Sequence, residues 1–279
     1  MVGITGSNGK TTTKETLSKY FKEKFKQNDV YKSHGNFNNF YGLCFSLLEL
    51  SPHHKVGFFE IGTNNPGEIS KLANILKMNL SIITNIGNAH LEGLKNIDGV
   101  ANEKSDIFVF TKDEGYCLGD IPKKYLNLVR DKSSGKKRIF TSDNDPKKLM
   151  KSAIIKINDL LEVEYLPEEI DSFLDKKIDV PGRFEIRKSK SKALIIDDSY
   201  NANPESMKSS LKQLKQFNQD KIFVMGDMGE LGVNSLDHHV AIFKLAREFK
   251  IKYLFYMGRY EDEAKSSFGD RCFVYKNIT

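Results

Sequence analysis

Gly3-Ile4-Thr5-Gly6-Ser7-Asn8-Gly9-Lys10-Thr11-Thr12 decides how the rest of the chain is read. Val2 and Ile4 begin a short strand, glycines follow, then a lysine and hydroxyls, and a helical run opens near Thr11. Glycines let backbone N–H groups turn inward around phosphate oxygens, and a helix start adds favourable partial positive charge. Gly6, Ser7, Asn8, Gly9 and Thr12 would form that cradle. Lys10 would reach the outer phosphates, and the Thr11 hydroxyl would ligate Mg²⁺. Standard phosphate-loop spacing asks for glycine where Ile4 stands, and Gly3 lies one place earlier. The pattern fails as a string, yet every physical component is there.

Outward from the loop, Leu17, Tyr20, Phe21 and Phe25 recur at helical spacing and predict a helix over 12–26. Ser33-His34-Gly35-Asn36-Phe37-Asn38-Asn39 is too rich in asparagine for an element and reads as a loop. Asn36, Asn38 and Asn39 offer both donors and acceptors, as a polar-ligand pocket needs; an asparagine-rich turn is the plainer reading. Residues 40–50 predict a helix that stops before Pro52. Lys55-Val56-Gly57-Phe58-Phe59-Glu60-Ile61-Gly62 reads as a buried parallel strand ending in a carboxylate. In nucleotide-binding α/β folds the carboxyl end of a strand beside the phosphate-loop strand carries the second Mg²⁺ anchor. Glu60 fits that role.

A helix over 66–77 and a strand over 80–87 follow, running into Asn88-Ala89-His90-Leu91-Glu92-Gly93. At that strand end His90 could ligate a metal or contact phosphate, although a lone histidine is more often bland. Residues 100–110 predict a helix with Glu103, Lys104 and Asp106, whose lysine would ordinarily be a solvated charge. Residues 111–150 are the least legible: a strand at Tyr116-Cys117-Leu118, then a surface stretch rich in Lys, Ser and Gly. Helices are expected over 146–161 and 167–174. Pro181-Gly182-Arg183 then breaks the chain, which sets domains of 1–181 and 182–279.

Past that break the pattern restarts. Strands are expected over 184–187 and 193–198, and Ser199-Tyr200-Asn201-Ala202-Asn203-Pro204 opens a helix. A strand over 221–225 runs into Gly226-Asp227-Met228-Gly229-Glu230-Leu231-Gly232, followed by a helix over 235–249, a strand over 253–256, a further helix and a strand over 272–274. The fold class is therefore α/β: a phosphate-loop domain with a mostly parallel sheet, then a second, Rossmann-like α/β domain.

Hydrophobic residues make up 39% and charged residues 29%, the balance of an ordinary globular protein with room for about two domains in 279 residues. The net charge of +6 comes from scattered lysines; it suits anionic ligands such as nucleotides but contains no basic block that would call for nucleic acid. Three cysteines, Cys44, Cys117 and Cys272, stand far apart, the usage of a reduced cytosolic protein. No apolar run approaches ~18–20 residues, so membrane insertion is not expected. Met1 stands almost inside the phosphate-loop strand, and the expectation is that nothing precedes the nucleotide site.

Read together, the segments resemble the Mur ligases. The resemblance is carried by residues 4–14, Gly35-Asn36-Phe37-Asn38-Asn39, Glu60-Ile61-Gly62, residues 84–93 and Glu103-Lys104-Ser105-Asp106-Ile107-Phe108. In the second domain it is carried by Pro181-Gly182-Arg183-Phe184-Glu185, residues 197–204 and residues 226–232. The last two runs resemble the branch that joins D-Ala-D-Ala to a UDP-N-acetylmuramoyl (UDP-MurNAc) tripeptide in cytoplasmic peptidoglycan precursor synthesis.

The resemblance implies an ATP-dependent ligase in which Lys10 contacts ATP phosphates while Thr11 and Glu60 hold one Mg²⁺. It implies that His90 helps to hold a second Mg²⁺ with a carbamylated Lys104. Arg183 is implied to reach ATP phosphate and Asp198 the ribose side, with Tyr200 and Asn201 beside them. Asn36, Asn38, Asn39 and Asn203 are implied to face the acceptor peptide. A monomer is expected.

Three departures from the family pattern qualify this. The family's uridine-gripping N-terminal domain and its final K-G-S-R segment are not found, and the stretch between Phe110 and Pro146 is too short for the family's adenine-contacting insert. The corresponding expectation is that a separate chain supplies the uridine-binding domain. A second class of function is a degenerate nucleotide-binding or ATPase module without ligase activity of its own. Joint retention of Lys10, Thr11, Glu60, His90, Lys104, Arg183 and Asp198 favours chemistry, since a scaffold needs none of them. A sister ligase such as folylpolyglutamate synthetase lacks support in the second-domain motifs.

Overall fold

The computed structural model describes residues 1–176, 178–190 and 193–275, and the chain divides into two compact units. The first comprises Met1–Gly87 and Asn96–Val180, the second Asn88–Lys95 and Pro181–Thr279. The split is not a single cut: the His90 segment belongs to the second unit.

The first unit runs β1 (Val2–Thr5), α1 (Lys10–Lys24), β2 (Val30–Lys32), α2 (Phe40–Leu48), β3 (Val56–Glu60), α3 (Glu68–Leu76) and β4 (Leu80–Ile83). The short helix α4 (Leu91–Leu94) lies in the segment that joins the second unit. The first unit then continues with α5 (Ile97–Val109), β5 (Tyr116–Asp120), α6 (Leu126–Lys132), β6 (Lys137–Thr141), α7 (Pro146–Leu161) and α8 (Pro167–Asp175). Its six strands pair in the order β2-β3-β1-β4-β5-β6, all parallel. Strands β1, β3 and β4 are buried along their whole length, because a parallel sheet covered on both faces needs continuous apolar runs rather than alternation.

One face packs Val2, Ile4, Phe58, Leu80 and Ile82 against Leu17 and Phe21 of α1 and Ile154 and Ile157 of α7. Helix α7 opens where expected because Pro146 occupies its first turn and the Asp145 side chain accepts from Lys147 N and Lys148 N. The stretch thought to be mere surface after Leu118 is corrected: it completes β5 and builds α6 and β6. Strand β6 lies at the sheet edge, where only half of its residues need be apolar, so Lys137 and Arg138 hid it from a pattern search.

Chain order reverses across β1, with β3 on one side and β4 on the other. The register pairs Ile4 with Glu60 and Thr5 with Ile83, so the carboxyl ends of three central strands come together. Such a switch point opens the crevice in which α/β folds place ligands.

The second unit contains β7 (Glu185–Lys188), β8 (Leu194–Asp197), α9 (Pro204–Leu214), β9 (Ile222–Gly226), α10 (Ser235–Glu248), β10 (Tyr253–Met257), α11 (Glu261–Phe268) and β11 (Cys272–Val274). Strands β11-β10-β9 form a parallel sheet over a core of Met225, Leu254, Tyr256, Ile242 and Phe243. Among the described residues β7 and β8 pair only with each other, antiparallel. Ser189 and Ala193 close that hairpin, a local solution open to two short strands so near in sequence.

Candidate active site

The loop after β1 is pinned to the segment after β4. Ser7 N donates to Asn85 O (3.1 Å), Asn8 N to Asn85 Oδ1 (2.9 Å), and Ser7 Oγ to Gly87 O (2.9 Å). Thr84 Oγ1 donates to Asn8 O (2.5 Å). Glycine is required at Gly6, where φ is +150° and a Cβ would fall 1.8 Å from Thr84 Oγ1. Gly9, left-handed at φ 81°, turns the chain into α1, whose first residues are Lys10, Thr11 and Thr12. Lys10 Nζ donates back to Gly6 O (2.8 Å), so the ammonium lies against the loop it follows.

At the end of β3 the carboxylate of Glu60 is almost wholly buried and held from three sides. Thr11 Oγ1 donates to Oε2 (2.8 Å), Asn38 Nδ2 donates to Oε1 (3.1 Å), and Lys14 Nζ stands 4.0 Å from Oε2. Lys14, fully buried, donates also to Ser33 O (2.8 Å) and Gly35 O (2.9 Å). Its role is structural support, and burial lowers its pKa despite the neighbouring Glu60. The asparagines divide. Asn38 holds Glu60, Asn39 caps α2 by accepting from Gly42 N (2.9 Å), and Asn36 is exposed in the turn.

Lys104 corrects the expectation of a solvated charge. It lies on the buried side of α5, fully enclosed, and its Nζ has no hydrogen-bond partner. Burial, with the positive charge of Lys10 second, holds its pKa well below the usual lysine range. Its neighbour Glu103 accepts from Thr63 Oγ1 (3.1 Å), Gly67 N (2.7 Å) and Ile69 N (2.8 Å), which fixes α5 against the start of α3. The helix is thus clamped where Lys104 stands.

In the second unit the guanidinium of Arg183 stacks on the Tyr200 ring at 4.1 Å, and its Nε is buried without a partner. Asp198 Oδ1 accepts from Phe184 N (3.0 Å), and Oδ2 accepts from Ser210 Oγ. Asn203 caps α9 by accepting from Ser206 N (2.9 Å), while Asn201 Oδ1 accepts from Ala202 N (2.9 Å). His90 meets Glu230 through Nδ1 at 2.5 Å. The sequence reading did not single out Lys14, Thr84, Asn85 or Glu230 as site residues. In the structure each meets another candidate site residue, and no spacing rule reports that.

A glycine-turned loop after a strand, a hydroxyl–carboxylate pair at a switch point and an orphaned buried lysine are the parts of a candidate nucleotide site. The protein belongs to the Mur ligase family: residues 4–187 match its middle domain, and residues 182–270 match the Mur ligase, glutamate ligase domain. The UDP-N-acetylmuramoyl-tripeptide–D-alanyl-D-alanine ligase of Rickettsia prowazekii is 32% identical over 276 residues, covering 85% of this chain and 61% of that one. The chain therefore spans about three fifths of that relative's length. The crystal structure of MurF from Acinetobacter baumannii matches with a TM-score of 0.83 at 26% identity, over 98% of this chain and 66% of that chain. MurF ligase from Thermotoga maritima in complex with ADP matches with a TM-score of 0.79 at 26% identity, over 98% of this chain and 69% of that one.

Proposed function

We propose that this chain carries the ATP-using centre of a ligase that joins D-Ala-D-Ala to the UDP-MurNAc tripeptide in the cytoplasm. The observation that carries the reading is the phosphate loop with Thr11 bonded to the buried Glu60 at 2.8 Å. The relatives' names support the substrates, and the ADP complex of the Thermotoga protein supports the nucleotide. In this reading residues 1–181 are the ATP-binding domain and 182–279 the ligase domain, working as a monomer. Among the described residues no helix is long and apolar enough to cross a membrane.

The reaction assigned to the site is amide formation in two steps. The tripeptide carboxylate attacks the γ-phosphorus of ATP, releasing ADP and leaving an acyl phosphate. The D-Ala-D-Ala amine then attacks the acyl carbon, and the tetrahedral intermediate expels phosphate. Loop N–H groups and Lys10 would hold the phosphates in line, a matter of positioning and charge rather than covalent chemistry. Thr11 and Glu60 fit Mg²⁺, which takes hard oxygen ligands and would neutralise phosphate charge. Among the described residues no three His, Cys, Asp or Glu side chains form a metal cage. His90 and Lys104 are assigned to a second Mg²⁺, and Arg183, Asp198, Tyr200 and Asn201 to ATP, on the family resemblance. Asn36, Asn38, Asn39 and Asn203 are assigned to the peptide on the same ground.

ADP release measured with and without the muramoyl tripeptide and D-Ala-D-Ala tests the reading: release that requires both substrates supports it. Substrate-independent hydrolysis would instead favour a plain ATPase module. Glu60→Gln should raise the Mg²⁺ concentration for half-maximal ADP release by roughly tenfold, about 1.4 kcal/mol, because a charged metal anchor becomes neutral. An unchanged Mg²⁺ titration would remove Glu60 from the metal site.

Base selectivity should be weak. Residues 116–141 build β5, α6 and β6, and by its sequence this stretch is too short for the family's adenine-contacting insert. GTP should compete with ATP within roughly tenfold, about 1.4 kcal/mol of discrimination. Calorimetric titration of both nucleotides checks this; strong ATP selectivity would show that other residues read the base.

A further inference from the structure

His90 and Glu230 share an uncommon backbone state. Both are non-glycine residues in the left-handed region, at φ 57° and φ 60°. Strain of this kind persists where the surroundings over-determine it, and it concentrates at functional sites. Here the two strained residues meet each other: Nδ1 of His90 lies 2.5 Å from Oε2 of Glu230, and Glu92 N donates to Glu230 O (3.3 Å).

Both partners are braced from behind. The turn carrying Glu230 is anchored at Met228, whose N–H donates to Nε2 of the buried His239 (2.9 Å). Nδ1 of His239 in turn faces Ser235 O at 2.7 Å, so that ring bridges α10 to the turn. The adjacent Asp227 accepts from Arg259 Nε (3.0 Å) and from the Tyr256 hydroxyl. On the other side Asn88, two residues before His90, donates from Nδ2 (2.7 Å) and from its backbone N (3.2 Å) to Glu205 Oε1. All of these residues lie in the second unit.

We propose that Glu230 is the positioning residue of His90: its carboxylate accepts from Nδ1–H and fixes the ring in the tautomer whose Nε2 carries the lone pair. A carboxylate on the far nitrogen is the usual way in which an imidazole donor is oriented and made more basic. The inference deepens the proposed function and rests on it only for the kinetic consequence. The side chain of Glu230 is half exposed, 48% accessible, so its removal leaves no core cavity.

The test uses three variants of the full chain, Glu230→Ala, Glu230→Gln and Glu230→Gly. Long-range ¹H–¹⁵N spectra of the His90 ring, assigned with His90→Gln, read the tautomer directly. Wild type and Glu230→Gln, which keeps an acceptor oxygen, should show the Nδ1–H form; Glu230→Ala and Glu230→Gly should shift toward Nε2–H. The kcat for ADP release should fall roughly tenfold or more in Ala and Gly, with the KM for ATP nearly unchanged, and recover substantially in Gln. Glu230→Gly relieves the positive φ, so its melting temperature should be no lower than that of wild type even as kcat falls.

A merely structural role would leave the tautomer unmoved and make activity follow melting temperature. Either result overturns the proposal, as does an Nε2–H ring in wild type. If wild type releases no ADP, the ligase reading fails while the ring spectra still decide the role of Glu230.

Discussion

Lys10→Ala is expected to lower ADP release by about 10²–10³, roughly 3–4 kcal/mol of transition-state stabilisation, the range seen when one preorganised electrostatic contact is removed. Lys10 is the first residue of α1, and its ammonium lies 2.8 Å from Gly6 O, against a loop that is also held by backbone, hydroxyl and Asn85 amide bonds. Those bonds, from Ser7, Asn8 and Thr84 to the segment after β4, do not involve its side chain. Loss of the hydrogen bond from the partly exposed ammonium to Gly6 costs about 1–2 kcal/mol. The variant should therefore fold and melt within a few degrees of wild type, while charge opposite the transferring phosphoryl is gone. Steady-state ADP release together with a thermal melt separates the two effects. Near-wild-type turnover would remove the loop from the chemistry.

Legibility of this fold follows how much each residue's job depends on its neighbours in sequence. Helix α7 is readable because Asp145 and Pro146 act within one turn of where they stand, and β3 because Val56, Phe58 and Phe59 are a central strand's unbroken apolar run. Strand β6 is not, since an edge strand tolerates Lys137 and Arg138. The loop and Glu60 could be nominated from glycines, a lysine and a strand-end carboxylate. Their support could not: Lys14 reaches Ser33 and Gly35, and Thr84 reaches Asn8, through folding of distant segments together. Asn39 and Asn203 show the reverse. Polar side chains in asparagine-rich loops looked like ligand contacts, and in the structure each caps the helix it precedes. Such caps are worth about 1 kcal/mol each, a local role that these asparagines fill alongside any contact with the peptide.

Lys104 should carry CO₂ as a carbamate, and Lys104→Ala should lose ADP release by about 10² or more, on the order of 3 kcal/mol of phosphoryl charge stabilisation. A fully enclosed lysine whose Nζ has no partner is costly as an ammonium, and burial lowers its pKa, favouring the neutral amine. The neutral amine is the nucleophile toward CO₂: a C–N bond forms, one proton leaves, and a cationic side chain becomes an anion. That inversion makes sense beside a divalent cation, which a lysine ammonium would repel. It also changes the sign of the interaction with Lys10, now the second cause of the depressed pKa and then a favourable partner. Helix α5 is clamped by Glu103 to the start of α3, so an alanine at 104 leaves a space in fixed walls rather than a collapsed helix. Small carboxylates such as acetate or formate should therefore enter and partly restore turnover in Lys104→Ala, and should do nothing for Lys10→Ala. Wild type equilibrated with ¹³C-bicarbonate should show one slowly exchanging carbamate resonance that Lys104→Ala lacks. A spectrum without that resonance, joined to activity indifferent to added carboxylates, would leave Lys104 as a neutral buried amine and remove it from the metal chemistry.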